Sequence, residues 1–415
     1  MLSVLSDWYH EEYFELVKQV MTPGAPPPFV DNNLINGKNN YDCALMDPDD
    51  DTPCTKDAGL SKFKFKRGKT HRLRLVNTGA DALQRFSIDG HKMKVIANDF
   101  VPVEPYDTEV VTLGIGQRTD VIVKADQKAG AYWMRSNIST GCSPTRGQAN
   151  ALAVIHYDGV DDKQAPTSKA WDRPDPGTCA NDDLSKTKPL MKLKPPKPDL
   201  TYDMNVELFT NATGHLLWKM DGVSYRGNYN SPTLLLGNLG DLKFDEIWNV
   251  HNTKKAKSVR VHIINKTGIS HPMHLHGFNM YILNEGPGEW DGKTINANNP
   301  QRRDVQMLRG NGYIVMQFDA HENPGYVTTF VISGNNILLN RFIVSGDCIA
   351  TSRGMSLVVF SRSSSLSQTK SRSSGSPTQS RRRVGNGAST PRRIFRSKLT
   401  VVYEIRARAW IVMRL

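Results

Sequence analysis

From about residue 60 to residue 320 of this 415-residue chain, apolar side chains recur at every second position in short runs. Phe63 and Phe65 alternate with Lys62, Lys64 and Lys66, Leu73 and Leu75 with Arg72 and Arg74, and Val121 and Val123 with Asp120 and Lys124. An extended strand sends neighbouring side chains to opposite faces, so this period builds sheets with one wet face and one buried face. Gly, Asn and Asp turns separate the runs, as at Asn77-Thr78-Gly79 and Asp89-Gly90. Short strands at such intervals predict an all-β chain of sandwich or Greek-key barrel architecture.

A second series of the same kind begins near Tyr202, with Met204, Val206 and Leu208 on one side, and continues through residues 259–263 and 313–318. Between the two series, residues 166–200 are crowded with Pro, Lys and Asp and read as an interdomain connection. The predicted organisation is one β domain over 1–165, the connection over 166–200, a second β domain over 201–360 and a Ser/Arg-rich tail over 361–415. The tail has too few apolar residues through 395 to bury a core, so it is predicted to be disordered.

The net charge of +12 belongs to that tail. Residues 361–415 hold 11 Arg and 2 Lys against Glu404, leaving 40 basic and 40 acidic groups in residues 1–360. A neutral body gives no reason to expect nucleic-acid binding by the folded part. No apolar run reaches the length of a membrane span, and the start from Met1 to His10 lacks the apolar stretch of a secretion signal. None of Cys43, Cys54, Cys142, Cys179 and Cys348 forms a Cys-x-x-Cys pair, which argues against structural zinc. Glycosylation triplets at Asn137, Asn211 and Asn265, with four pairable cysteines, suggest an oxidising, secretory origin.

The chemistry concentrates in His271-Pro272-Met273-His274-Leu275-His276-Gly277. On an extended strand His274 and His276 project from one face, a common way to grip a pair of metal ions, and Leu275 packs on the other. His271, across Pro272, can turn toward a different site. Imidazole suits copper, iron, nickel and zinc alike, so these residues do not choose the metal.

This heptapeptide resembles the first copper motif in the last domain of multicopper oxidases. Further segments are similar to ascomycete-type laccases of that family: residues 6–10 and 31–37, Arg67 through Asn77, Gly114 through Val121, Pro300 through Val305 and Glu322 through Gly325. The resemblance implies two cupredoxin-like barrels, secretion, and copper as cofactor, with His271 on a type 1 copper, His274 on a type 2 copper and His276 on a type 3 copper. It also implies oxidation of small phenolic or related reductants coupled to reduction of O2 to water. Asp31 matches a carboxylate that takes the phenol's proton, although local sequence supports an Asx-turn at Asp31-Asn32-Asn33 equally well. Cys142 and Cys179 resemble a bridged pair, and Cys43 with Cys54 would close an acidic loop.

Two family features have no counterpart here. No His-x-His pair precedes His274, as a first domain would supply, and no His-Cys-His triplet follows Gly325. Asp347-Cys348-Ile349 is the faint remnant, and Cys348 has no histidine beside it. Two readings follow: a copper oxidoreductase whose sequence is truncated and partly mistranslated, or a non-catalytic two-barrel binding protein. In the second, Arg381-Arg382-Arg383 and Arg392-Arg393 would touch phosphates. The first expects residues 326–353 to be a retained intron and the tail to follow a frame change, which RNA reads across residues 320–365 would decide.

Overall fold

The computed structural model describes residues 1–228, 230–239, 243–254, 256–320, 327–332 and 356–361. Expectations for Cys348, for most of 326–353 and for the tail from 362 onward lie outside these residues.

The first half contains strands β1 (Leu2–Trp8), β2 (Asn32–Ile35), β3 (Ser61–Phe65), β4 (Thr70–Asn77), β5 (Gln84–Ile88), β6 (Met93–Asn98), β7 (Val101–Thr108), β8 (Val110–Leu113), β9 (Arg118–Lys124), β10 (Ala131–Ile138) and β11 (Asn150–Tyr157). The second half contains β12 (Leu200–Thr210), β13 (Leu216–Met220), β14 (Val250–Lys254), β15 (Ser258–Asn265), β16 (His271–Leu275), β17 (Met280–Pro287), β18 (Gln301–Arg303), β19 (Val305–Leu308), β20 (Gly312–Asp319), β21 (Val327–Ile332) and β22 (Ser356–Ser361). The first half forms one sheet in the order β2-β1-β4-β9-β6-β7 and another in the order β3-β11-β10-β5-β8. The second half forms sheets β13-β12-β15-β20-β17-β18 and β14-β22-β21-β16-β19. Adding eleven to each strand number of the first half gives the second. The chain has folded one topology twice, and both copies lie in one compact unit.

The alternation read from sequence sorts as expected. Phe63, Phe65, Leu73, Leu75, Val121 and Val123 join the buried cluster of the first sandwich, while Met204, Val206, Val259, Val261 and Ile263 join that of the second. Strand β20 is buried on both faces: Ile314, Met316 and Phe318 enter the main cluster, and Tyr313 and Val315 a smaller one. Strand β21 pairs with β16 at Met273, His274 and Leu275, so part of the segment expected to be foreign completes a sheet.

The connection between the sandwiches is strapped down along its length. Trp171 Nε1 donates to the Ile88 carbonyl, Tyr106 donates to Asp182, Leu190 N–H donates to the Pro102 carbonyl, and the Pro196 carbonyl accepts from Gln317. Disulfides join Cys43 to Cys54, closing the acidic loop as expected, and Cys142 to Cys179, as the resemblance implied, with Cα separations of 6.0 and 5.5 Å. Of the three glycosylation triplets, Asn265 is buried and its amide donates to the Ile269 and Arg309 carbonyls. No helix among the described residues is long and apolar enough to cross a membrane.

Candidate metal centre

Strand β16, which carries His271 and His274, lies inside its sheet between β21 and the edge strand β19. Odd positions His271, Met273 and Leu275 face one way, and His274 faces the other. Met273 and Leu275 enter the core, and His271 follows them: it is fully buried, its ring edge-on to Trp218 at 4.6 Å between centroids. His276 stands one residue past the strand, where Gly277 turns the chain at φ +80. Its ring nonetheless lies 4.8 Å from that of His274. The structure brings His274 and His276 together and sends His271 to the opposite face.

Two features prepare this pair for a cation. His274 Nδ1 sits 2.7 Å from the carbonyl oxygen of Asp304, which can only accept, so the proton is on Nδ1 and Nε2 keeps its lone pair. His276 Nε2 is buried and has no hydrogen-bond partner among the described residues. Burial, reinforced by charge on His274, pushes the His276 imidazole down to about 4, so the ring is neutral at neutral pH. A buried polar atom left without a partner is costly and calls for a ligand. The donor set therefore fits a metal that prefers imidazole.

Asp304 entered the sequence reading only inside a family-like segment. The structure gives it a role at the site, since its carbonyl also accepts the Leu275 N–H. Its carboxylate takes a two-pronged grip from Arg118 of the first sandwich, at 2.7 and 2.6 Å. Neither partner was singled out by sequence, because their pairing spans 186 positions.

Asp31 lies elsewhere, in the first sandwich. It is buried, with Oδ2 accepting the His10 N–H at 2.9 Å and Oδ1 facing Arg146 Nη2 at 3.2 Å. His10 Nδ1 is 2.6 Å from Asp50, so three polar side chains gather at one point that sequence reading did not bring together. Beside them opens a cleft of about 460 Å³ lined by Trp8, His10, Asn32, Tyr41, Met46 and the Cys54 end of the short disulfide loop.

Residues 1–160 match one multicopper oxidase family model, and residues 214–329 match a second. Laccase-3 of Botryotinia fuckeliana is 30% identical over 77% of this chain and 72% of its own length. The chain belongs to the multicopper oxidase family. Laccase-2 of the same fungus is 35% identical over 77% of this chain, which spans only 55% of that relative. The crystal structure of the laccase from Botrytis aclada superimposes with a TM-score of 0.73 at 31% identity, over 86% of this chain and 63% of that one. The two sandwiches are thus cupredoxin-like domains, as the resemblance implied.

Proposed function

We propose that the chain contributes to a laccase-type oxidoreductase, which withdraws electrons singly from phenols or related small reductants and delivers them to O2. The observation that carries this reading is the buried Nε2 of His276, without a hydrogen-bond partner among the described residues, beside a His274 ring whose Nδ1 is already committed to a carbonyl. Copper bound here would supply the one-electron chemistry that no side chain offers. His274 and His276 would hold it at the O2-reducing site, and His271, on the opposite face against Trp218, would hold it at the electron-accepting site. Asp31 would accept the phenol's proton behind a cleft whose Trp8 and Tyr41 rings suit a planar aromatic substrate. Two disulfides support a secreted protein working in an oxidising compartment.

The test titrates the full chain with Cu(II) and reads nitrogen hyperfine coupling by electron paramagnetic resonance. Imidazole coupling lost in the His274→Ala/His276→Ala variant is the expected result, and coupling unchanged in that variant sinks the ligand assignment. With no His-Cys-His triplet, the chain alone is expected to show neither blue thiolate absorption nor phenol-dependent O2 uptake. A blue, oxygen-consuming preparation would overturn that expectation. Copper binding without turnover is also what a non-catalytic two-barrel protein would give, so RNA reads across residues 320–365 separate the two readings: splicing that restores a His-Cys-His triplet after Gly325 favours the oxidoreductase, and reads that keep this frame favour the binding protein.

A further inference from the structure

We propose that Asp99 of the first sandwich is a positioning residue for His274 of the second, acting through the peptide group between Asp304 and Val305. The inference rests on reading His274 as a metal ligand.

That peptide group is held at both ends. Its carbonyl accepts from His274 Nδ1 at 2.7 Å and from the Leu275 N–H at 3.1 Å. Its N–H, on Val305, donates to Asp99 Oδ2 at 3.2 Å. A carboxylate on the N–H end draws the proton and leaves the carbonyl oxygen more negative, because hydrogen bonds in a chain polarise one another. A stronger acceptor holds the His274 ring in one orientation and one tautomer, and makes its free Nε2 a better donor to a metal. The arrangement is a carboxylate–peptide–histidine relay.

Asp99 is built to stay charged. It is almost fully buried, which alone would raise its pKa, yet Arg303 and Arg118 more than offset this and hold its carboxyl below the ordinary carboxylate range. Arg303 meets it at 2.8 and 3.2 Å, and the Arg118 N–H donates to it at 2.9 Å. Asp99 and Phe100 form the turn between β6 and β7, both in the left-handed region at φ +45 and +68. Left-handed backbone strains phenylalanine and persists only where the surroundings impose it. Here Arg118 stacks over the Phe100 ring at 4.7 Å while gripping Asp304. The residues on either side of Asp304 are therefore fastened to one strained turn of the other sandwich. The outer edge of β19 is closed by the same neighbourhood: Gln117 donates to the Val305 carbonyl and Asn181 accepts the Met307 N–H.

The test uses the full chain, with 15N NMR of the imidazoles in metal-free protein and Cu(II) as the metal probe. Asp99→Asn keeps the shape and removes the charge. The expected result is a His274 signal that shifts from a single Nδ1–H tautomer to a mixture, with Cu(II) affinity about tenfold to a hundredfold weaker. Should the lone amide leave Arg303 unpaired and the protein unfolded, Asp99→Asn/Arg303→Gln removes both charges and is expected to give the same two changes. An unchanged tautomer and unchanged Cu(II) affinity in a folded variant overturn the proposal. A disturbed tautomer in a protein whose parent binds no Cu(II) at His274 keeps the positioning role and removes the ligand reading.

Discussion

Asp89 and His276 occupy the same point of the duplicated topology, each one residue past equivalent strands and followed by a glycine at positive φ. Gln84 pairs with Leu113 as His271 pairs with Leu308, and Ser87 pairs with Val110 as His274 pairs with Val305. The three positions that carry histidine in one sandwich carry Gln84, Ser87 and Asp89 in the other. In the first sandwich the polar groups are closed among themselves: Gln84 exchanges hydrogen bonds with Asn33, and Asp89 accepts from Arg135 and Ser168. In the second, His276 Nε2 has no hydrogen-bond partner among the described residues. One backbone thus supports either a closed set of polar partners or an open pair of imidazoles, and the side chains decide which.

This contrast predicts opposite responses to one substitution. Asp89→Leu strands the Arg135 guanidinium and is expected to cost roughly 3 kcal/mol in urea unfolding. His276→Leu replaces an unpartnered buried nitrogen with hydrocarbon, so in metal-free protein stability is expected to hold or rise while Cu(II) binding falls. A large loss of metal-free stability in His276→Leu would mean that the nitrogen has a partner.

The disulfides close loops of different length, with sequence separations of 37 for Cys142–Cys179 and 11 for Cys43–Cys54. Restricting the longer loop in the unfolded chain is worth about 4 kcal/mol and the shorter about 3 kcal/mol. Paired Cys→Ser variants are expected to keep that order in denaturant midpoints. The reverse order would place the shorter loop's contribution in folded contacts around its cleft.

Stability should also depend on pH through Asp81. Burial, with the charge of Asp7 beside it, pushes its carboxyl up to about 8, while Asp7 accepts the N–H groups of Ala80, Asp81 and Ala82. Between about 4 and 8 the folded state keeps a proton that the unfolded state releases, so stability falls as pH rises across that window and levels off above it. Asp81→Asn, which needs no proton, is expected to match the parent near pH 4 and exceed it by a few kcal/mol at pH 8. Parallel pH curves for the two proteins would count against a protonated Asp81.

The sheets were legible in sequence because period-two alternation is a local consequence of strand geometry, and Phe63, Leu73 and Val121 went where it sends them. The histidine pair was legible from its spacing, although His276 stands one residue past the strand. Strand β20 is less so, since burial on both faces erases alternation. The Asp99–Arg303 contact spans 204 positions, and no local pattern marks which aspartate meets which arginine. The two-sided tie on the peptide after Asp304 belongs to the backbone, where residue identity carries no signal.

The last expectation concerns Asp31 and the glycine packed against it. The segment around Gly147 runs beside residues 30–32, with the Arg146 N–H donating to the Val30 carbonyl and the Gln148 N–H to the Asp31 carbonyl. A Cβ on Gly147 would collide with the Asp31 carbonyl oxygen and the Tyr41 hydroxyl. The carbonyl is backbone and cannot swing aside, so Gly147→Ala is expected to cost about 1–3 kcal/mol. The displacement should reach further than stability. Arg146, next in the chain, reaches Asp31 and Asp47, and Tyr41 lines the cleft with Trp8. Quenching of Trp8 fluorescence by a methoxyphenol, with Trp8→Phe as the blank, should therefore weaken in Gly147→Ala even well below its melting temperature. Arg146→Lys, which keeps the charge but loses the planar fork, should weaken it less. Unchanged quenching in a destabilised Gly147→Ala would separate the cleft from Asp31 and remove the support for Asp31 as the proton acceptor.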